Sequence, residues 1–401
     1  MGLLQEKLAK YTEPQKVKAK GVYPYFRVIE SDQDTEVTIN GKKVLMFGSN
    51  SYLGLTNHPK IKEAAIEATK KYGSGCAGSR FLNGTLDIHI ELENKLAKFV
   101  GKDDALIFSA GFNANMGVIS NLTGREDYII FDELDHASIM TGKQLSFSKC
   151  LKFKHNDMDS LEKKLQACEP DKIKLIVVDG VFSMEGDVAK LDKIVELSKK
   201  YNASIYVDEA HSLGVFGKRG RGICDHFGLT KDVDLIMGTF SKSLASIGGF
   251  IAADESIINW LRHSTRPYIF SASITPAATA SVLAALEIMQ NEPERMENLW
   301  KMTKISLDGF RQLGFEIGHT ETPIIPLFIR DNEKTFLMTK LLFEEGIFVN
   351  PVVSPAVPSN DTLIRFSMMA THKEAPVQPA LDEIGKVGKK LGIICFIQQY
   401  A

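Results

Sequence analysis

Lys242 has surroundings that suggest chemistry. It follows a short apolar run and stands between two hydroxyl residues, Ser241 and Ser243, with Thr239 just upstream. Burial among small residues disfavours the charged ammonium, so such a lysine can become a neutral, nucleophilic amine. Thr239 and Ser241 could also bind an anion such as a phosphate. A surface lysine in a Ser/Gly-rich turn fits the segment equally well when it is considered alone.

Asp208 and His211 belong to an Asp-Glu-Ala-His segment that directly follows the apolar residues 204–207. A carboxylate at the end of a buried strand is costly unless it faces a positive group, and a protonated pyridine nitrogen would be such a partner. The same four residue types occur in the ATPase box of helicases. That class also needs a G-x-x-x-x-G-K-[ST] loop for the phosphates, and the chain has none, so the helicase interpretation is excluded.

Three weaker candidates also follow strand-like runs. Gly111, with Phe112 after it, opens a predicted helix whose N–H groups could bind a phosphate, although an ordinary strand-to-helix turn is the commoner case. His136 could stack on a flat ring or cap the next helix, and on its own the cap is favoured. Ser183 could hydrogen-bond a ligand, but by itself it is only a turn serine.

Arg365 is a charged residue within an apolar strand-like run. Its planar guanidinium suits a carboxylate, which either a substrate or the protein could offer, and a structural ion pair is equally consistent. His226 and Cys224 are too few for a metal site. No G-x-G-x-x-G follows the first strand of the predicted sheet, so the sequence predicts neither a metal nor a dinucleotide site.

Alternating helices and strands between residues 48 and 290 would position these side chains. Asp179, Asp208 and Thr239 end successive predicted strands and are 29 and 31 residues apart, the repeat of βαβ units in a largely parallel sheet. Ligands of such sheets bind at the carboxyl ends of the strands, so we expect the candidates at one edge. The predicted strands are 105–108, 128–131, 175–178, 205–207, 235–237 and 249–252, and the predicted helices are 61–72, 88–100 and 191–201.

Three regions make up the predicted domain organisation. Residues 1–47 form an N-terminal segment with a helix and a hairpin at Asn40-Gly41, residues 48–290 a large α/β domain, and residues 291–401 a smaller α+β domain. Hydrophobic residues make up 44% of the 401 residues and the net charge is −2, which excludes global disorder and gives no basic excess for nucleic acid. Without a signal-like start or a long apolar run, we expect a cytoplasmic protein.

The candidates from the strand ends together fit one cofactor, pyridoxal 5′-phosphate (PLP). A lysine can form its Schiff base, an aspartate can hold the pyridinium proton, and a helix N-terminus with hydroxyls can take its phosphate. Lys242, Asp208 and Gly111 are the residues in the chain that would fill those positions. No single segment requires this cofactor, but the combination predicts it.

The chain resembles the α-oxoamine synthase family of fold-type I PLP-dependent enzymes over nearly its full length. The matching segments are 50–54, 73–80, 82–85, 136–139, 208–211, 238–243 and 266–270. The resemblance implies an aspartate aminotransferase-like fold with a large, mostly parallel sheet domain and a smaller α+β domain. It also implies an acyltransferase that condenses an amino acid with an acyl-CoA and releases CO₂.

Segments 153–156, 181–187 and 239–250 are most similar to family members that use L-serine and palmitoyl-CoA. The product would be 3-ketodihydrosphingosine, formed in the first step of sphingolipid synthesis. In the implied mechanism Lys242 removes the Cα proton and Asp208 keeps the pyridinium protonated. His136 stacks over the ring, while His211 and Ser183 hydrogen-bond its phenolate oxygen.

Further roles are implied by the same resemblance. Asn50 and Arg365 would clamp the substrate carboxylate, whereas Thr85 and Ser271 would contact the cofactor phosphate of the partner subunit in a homodimer with shared active sites. Some serine-using members carry an arginine in the loop that matches residues 352–353, and here both residues are valine. The way in which the carboxylate is held, and the preference for serine, therefore stay open.

Two other functions remain as alternatives. One is a different family member, such as 2-amino-3-ketobutyrate CoA ligase or 8-amino-7-oxononanoate synthase. The other is a non-catalytic subunit with this fold, which the presence of Lys242 disfavours because such subunits typically lack the lysine. The lysine-rich N-terminal segment could at most allow transient association with anionic lipid.

Overall fold

The structure is a computed structural model that describes residues 2–354 and 356–395. Two compact units are present in this part of the chain. Residues up to Ser49 group with those from Lys301 onward, and Asn50–Trp300 form the other unit. The division into 1–47, 48–290 and 291–401 stays a prediction of where independent domains begin and end.

The strands include every one that the sequence predicts, with ends shifted by two residues at most. They are β1 (Glu36–Ile39), β2 (Lys42–Met46), β3 (Asp104–Phe108), β4 (Tyr128–Asp132), β5 (Lys149–Phe153), β6 (Lys174–Asp179), β7 (Ser204–Asp208), β8 (Leu235–Thr239), β9 (Gly249–Ala253), β10 (Ile324–Phe328), β11 (Ile347–Phe348), β12 (Asn350–Val352) and β13 (Leu363–Ser367).

The helices again include the predicted ones. They are α1 (Leu3–Leu8), α2 (Glu13–Ala19), α3 (Pro59–Tyr72), α4 (Asp87–Val100), α5 (Gly111–Leu122), α6 (Ala137–Leu145), α7 (Met158–Gln166), α8 (Leu191–Tyr201), α9 (Ile223–His226), α10 (Glu255–Ser264), α11 (Arg266–Ile269), α12 (Pro276–Asn291), α13 (Pro293–Leu313), α14 (Asn332–Glu344) and α15 (Glu374–Lys390). Among the described residues, no helix is both long and apolar enough to cross a membrane.

A seven-stranded sheet with the order β3-β9-β8-β7-β6-β4-β5 forms the centre of the unit Asn50–Trp300. The five strands from β8 to β5 pair in parallel, whereas β9 pairs antiparallel with both β8 and β3. Nine residues, 240–248, join β8 to β9, which is too few for the crossover that a parallel pair needs. The predicted, largely parallel sheet is therefore confirmed, and β9 is the strand that runs antiparallel to its neighbours.

Both faces of this sheet are covered, as expected for parallel strands. Ile176 and Val178 on β6 belong to the core on one face, and Leu175 and Val177 belong to the core on the other. Such strands are apolar throughout and bear polar groups only where they end. The neighbouring strands β4, β6, β7 and β8 end at Asp132, Asp179, Asp208 and Thr239, so these side chains share one edge.

Strand β5, at the edge of the sheet, is not among the strands predicted from the sequence. Its residues are mostly exposed, with Lys149 and Lys152 in a five-residue strand. Charged lysines are typical of edge strands because they discourage pairing with another chain, and they also remove the apolar run that identifies a buried strand.

Two three-stranded sheets, β1-β2-β11 and β10-β13-β12, belong to the other unit. The predicted hairpin is confirmed: β1 and β2 pair antiparallel around Asn40 and Gly41, which both have positive φ. Those backbone angles are the ones a two-residue type I′ turn requires. Arg365 lies within β13, the central strand of the second sheet.

Gly249 provides a test of the packing between β9 and α5. A Cβ atom at this position would lie 2.7 Å from the Gly111 Cα and 2.9 Å from the Gly238 carbonyl oxygen. Since backbone atoms cannot easily move aside, we expect Gly249→Ala to lower the free energy of unfolding by about 1–3 kcal/mol in urea titrations. Gly124→Ala is the control, because its Cβ would meet nothing closer than 3.5 Å. Equal midpoints for the two variants would contradict this packing.

Candidate active site

A cavity of about 280 Å³ lies at the carboxyl edge of the seven-stranded sheet. Eight of the predicted site residues line it: Gly111, Phe112, His136, Asp208, His211, Thr239, Ser241 and Lys242. The rest of its lining comes from residues that the sequence analysis did not assign: Ala110, Asn115, Ser138, Asp179, Ala210, Met237, Ile247 and Gly248. The structure thus brings together the amine, the carboxylate and the imidazoles around one space.

One end of the cavity is suited to an anion. Helix α5 begins there at Gly111, and its N-cap residue Ala110 has no polar side chain that could cap the first N–H groups. The hydroxyl oxygens of Thr239 and Ser241 are 3.0 Å apart, and a Cβ at Gly111 would lie 2.8 Å from the Thr239 Oγ1. Glycine therefore keeps the helix start open beside two hydroxyl groups, which is the arrangement that binds phosphates.

The carboxylate of Asp208 is 2% exposed and held by two hydrogen bonds. Its Oδ2 accepts from the Asn115 Nδ2 at 2.6 Å, and its Oδ1 accepts from the Ala210 backbone N–H at 2.8 Å. Asp179 pairs with Asp208 in the sheet register. Burial and the charge of Asp208 raise the pKa of Asp179 well above its ordinary value. A buried site with neighbouring carboxyl groups favours a cationic ligand group.

His136 both caps a helix and lies where it could contact a ligand ring, the two possibilities that the sequence left open. It is the N-cap of α6, and its Nδ1 accepts from the Ser138 backbone N–H at 3.3 Å, yet the same ring lines the cavity. Its backbone N–H donates to the Asp179 Oδ2 at 2.7 Å. Burial lowers the pKa of His136, Asp208 opposes this effect, and Lys242 adds to it. Stacking on a ring stays a prediction.

The turn that carries His136 is held by buried carboxyl groups. Asp135 accepts the backbone N–H groups of Asp132 and Asp179, each at 3.0 Å. Burial and the charges of Asp179 and Asp132 raise the pKa of Asp135 well above its ordinary value. Asp132 in turn accepts from the His155 Nδ1 at 3.0 Å, and the His155 Nε2 contacts Asp187 at 3.2 Å. His155 therefore supplies positive charge next to this acidic turn.

His211 is 7% exposed, and its Nδ1 lies 2.7 Å from the hydroxyl oxygen of Tyr52. Tyr52 is fully buried and so fixes the orientation of the imidazole. Tyr52 belongs to the segment 50–54 that carries the family resemblance, but no role for it is predicted from the sequence. Nothing in the spacing between Tyr52 and His211, 159 residues apart, could have predicted the contact.

Five predicted residues lie outside the cavity lining: Asn50, Thr85, Ser183, Ser271 and Arg365. Ser183 and Ser271 are half-buried. Thr85 is exposed, and its hydroxyl donates to the Arg80 carbonyl oxygen at 2.6 Å. Their roles toward a cofactor stay predictions.

Asn50 and Arg365 are the residues predicted to bind a carboxylate. The Oδ1 of Asn50 is buried and has no hydrogen-bond partner within residues 2–354 and 356–395. Arg365 belongs to the other compact unit, is 5% exposed, and donates from Nη1 to the Ser367 Oγ at 2.7 Å. A buried polar atom without a partner is costly, so the Oδ1 of Asn50 is suited to a hydrogen-bond donor from a ligand or from the protein.

Comparison with known proteins extends these observations. The family model for aminotransferases of class I and II matches residues 42–384. The chain is 66% identical over 394 residues to a serine palmitoyltransferase of Bacteroides thetaiotaomicron, covering 98% of this chain and 100% of the relative. It is 45% identical over 384 residues to an 8-amino-7-oxononanoate synthase of Petrotoga mobilis, covering 95% and 98%.

A solved structure gives the same result for the fold. A serine palmitoyltransferase variant from S. paucimobilis with a bound PLP–myriocin aldimine superposes with a TM-score of 0.95 at 36% identity, covering 98% of this chain and 100% of that one. These matches confirm the resemblance stated above and the predicted fold, a PLP-dependent transferase of fold type I.

His155 allows a test of the charge balance in the acidic turn. Burial acts to lower its pKa, but hydrogen bonds and charges of Asp132 and Asp187 outweigh burial and raise the pKa to about 9. This interaction stabilises the fold fully below the ordinary histidine pKa and is lost as the pH rises through about 9. Relative to His155→Gln, we expect the wild type to lose up to about 3 kcal/mol of stability over that interval.

The measurement is the free energy of unfolding in urea at about pH 6, 8 and 10. His319→Gln, at an exposed histidine, is the control. A stability difference between the wild type and His155→Gln that does not shrink toward high pH would contradict the assigned charge on His155.

Proposed function

Because the chain belongs to the class I and II aminotransferase family, we propose that it binds PLP and condenses L-serine with a long-chain acyl-CoA. With palmitoyl-CoA the products are 3-ketodihydrosphingosine, CoA and CO₂. The 66% identity to a protein named serine palmitoyltransferase, over 98% of the chain, supports this assignment. The observation that carries it is the convergence of Lys242, Asp208 and His136 on one cavity beside the start of α5.

The residues around the cavity fit PLP. The open N-terminus of α5 at Gly111 and Phe112, with the hydroxyls of Thr239 and Ser241, would hold the phosphate. Asp208 would hold the protonated ring nitrogen, whose positive charge offsets the neighbouring buried carboxyl groups.

PLP, when bound, supplies an electron-withdrawing ring that stabilises negative charge at the Cα of the amino acid. Lys242 would attach the cofactor covalently and afterwards remove the Cα proton of the substrate with its Nζ. Asp208 would keep a proton at the ring nitrogen. His136 would stack on the ring. His211, whose Nδ1 lies 2.7 Å from the Tyr52 hydroxyl, would hydrogen-bond the ring oxygen together with Ser183.

The amino-acid carboxylate would be bound by Asn50 and Arg365. The buried Oδ1 of Asn50 can only accept hydrogen bonds, as can an ionised carboxylate, so Asn50 would donate to the carboxylate from its Nδ2 and leave Oδ1 for a donor group of the ligand. Arg365 offers N–H groups in the planar arrangement that a carboxylate accepts. Residues 352–353 are valines, so no arginine of that loop contributes.

The protein would work as a homodimer in the cytoplasm. In this proposal Thr85 and Ser271 contact the cofactor phosphate of the partner subunit, so that each active site is shared. Membrane contact would be transient at most, through the lysine-rich N-terminal segment.

A second candidate is 8-amino-7-oxononanoate synthase activity, favoured by the 45% identity to such a protein over 95% of the chain. Both candidates use the same cofactor and the same type of condensation, so they differ only in the amino acid and the acyl chain. A non-catalytic subunit is disfavoured because Lys242 is present and lines the cavity.

Product analysis tests the choice between these activities. Mass spectrometry after incubation with a panel of amino acids and acyl-CoA thioesters should detect 3-ketodihydrosphingosine from L-serine and palmitoyl-CoA, with the highest kcat/KM in the panel. A higher kcat/KM for alanine with pimeloyl-CoA, or for glycine with acetyl-CoA, would contradict the proposal.

Lys242→Ala should lower kcat by about 100- to 10,000-fold, whereas the exposed-lysine control Lys231→Ala should not. Full turnover by Lys242→Ala would support a different chemistry.

A further inference from the structure

A buried amide joins the two sides of the cavity. Asn115, on α5, is 1% exposed. Its Nδ2 donates to the Asp208 Oδ2 at 2.6 Å and to the Ser138 Oγ at 2.8 Å. Its Oδ1 accepts from the hydroxyl of Tyr206 at 2.6 Å. Both N–H groups of this amide therefore have an acceptor, and its oxygen has a donor.

The partners determine which way this amide points. An ionised Asp208 can only accept hydrogen bonds, so the amide nitrogen has to face it. The opposite orientation would place the Asn115 oxygen against the carboxylate and the amide nitrogen against the Tyr206 hydroxyl. Tyr206 is fully buried, and its hydroxyl at 2.6 Å from Oδ1 stabilises the orientation that serves Asp208.

The same amide sets the direction of the next hydrogen bond. Because the Ser138 Oγ accepts from Asn115, its own hydroxyl hydrogen is left to donate to the His136 Nδ1, which lies 2.7 Å away. The Ser138 backbone N–H also points to this Nδ1, at 3.3 Å. An Nδ1 that accepts hydrogen bonds carries no proton, so a neutral imidazole holds its proton on Nε2.

We propose that Asn115 is a positioning residue which holds the Asp208 carboxylate and, through Ser138, fixes His136 as its Nε2–H tautomer. Tyr206 secures the orientation of the amide. One side chain then fixes the position of Asp208, the group assigned to the ring nitrogen, and the tautomer of His136, the imidazole assigned to the ring face. This inference rests on the proposed function in so far as Asp208 and His136 serve PLP.

Two substitutions separate this role from simple packing. Asn115→Asp keeps the shape but places a second carboxyl group against Asp208 and removes the donor to Ser138. The Ser138 hydroxyl can then turn to the new acceptor and leave the His136 Nδ1. Tyr206→Phe keeps the buried ring and removes only the hydroxyl that orients the amide, so the fold should tolerate it.

The experiment is ¹⁵N NMR of histidine side chains in the full-length protein, recorded with and without added PLP, with His136→Gln to assign the signal. We expect the Nε2–H tautomer of His136 in the wild type. Asn115→Asp should shift the tautomer toward Nδ1–H and raise the Kd for PLP at least about tenfold, and Tyr206→Phe should change both in the same direction but less. Asn259→Asp, at an exposed asparagine on α10 outside the cavity lining, should change neither.

The possible outcomes are distinguishable. A wild-type His136 that carries its proton on Nδ1 overturns the proposal, as does an unchanged tautomer in both Asn115→Asp and Tyr206→Phe. If Asn115→Asp does not fold, Tyr206→Phe decides. A wild type that shows the Nε2–H tautomer but binds no PLP, together with a shifted tautomer in Asn115→Asp or Tyr206→Phe, supports the positioning role of Asn115 and contradicts the proposed function instead.

Discussion

The buried carboxylate of Asp208 is the constraint on which the rest of the site depends. It ends a strand that is covered on both faces and is only 2% exposed, and Asp179 ends the adjacent strand in register. Only fixed donors or a cation can offset that cost. Asn115 and the backbone N–H of Ala210 supply the donors. The cavity above them therefore favours a ligand with a protonated nitrogen. Lys242, His136, His211 and the N-terminus of α5 line the same cavity.

Most of the fold could be predicted because parallel strands leave a strong signal. The spacing of Asp179, Asp208 and Thr239 gave the βαβ repeat, and the Asn40-Gly41 turn identified the hairpin. The edge strand β5 escaped because its lysines break the apolar run. The antiparallel pairing of β9 follows from the short connection after Thr239. The length of this connection can be read from the sequence, but locating the strands does not by itself give their direction.

The site was predictable only where a residue lies at or just after the end of a strand or opens a helix. Asp208 ends a strand, His136 opens a helix, and Lys242 lies three residues after the end of β8; all three line the cavity. Asn115 and Tyr52 were not predictable, because their roles arise from contacts with side chains far away in sequence, Asp208 and His211. Such contacts depend on how a helix or loop packs against the sheet, which periodicity and spacing do not report. For the same reason the sequence could not show whether His136 caps α6 or also faces a ligand, because that depends on how its turn packs against the sheet.

Covalent attachment of the cofactor is the most direct test of the account. The full-length protein is reconstituted with PLP and reduced with borohydride, which fixes an imine as a stable amine, and the digested peptides are analysed by mass spectrometry. The account predicts a single phosphopyridoxyl group, located on the Nζ of Lys242. Absence of the modification from the peptide containing Lys242, or its presence on another lysine alone, would contradict it.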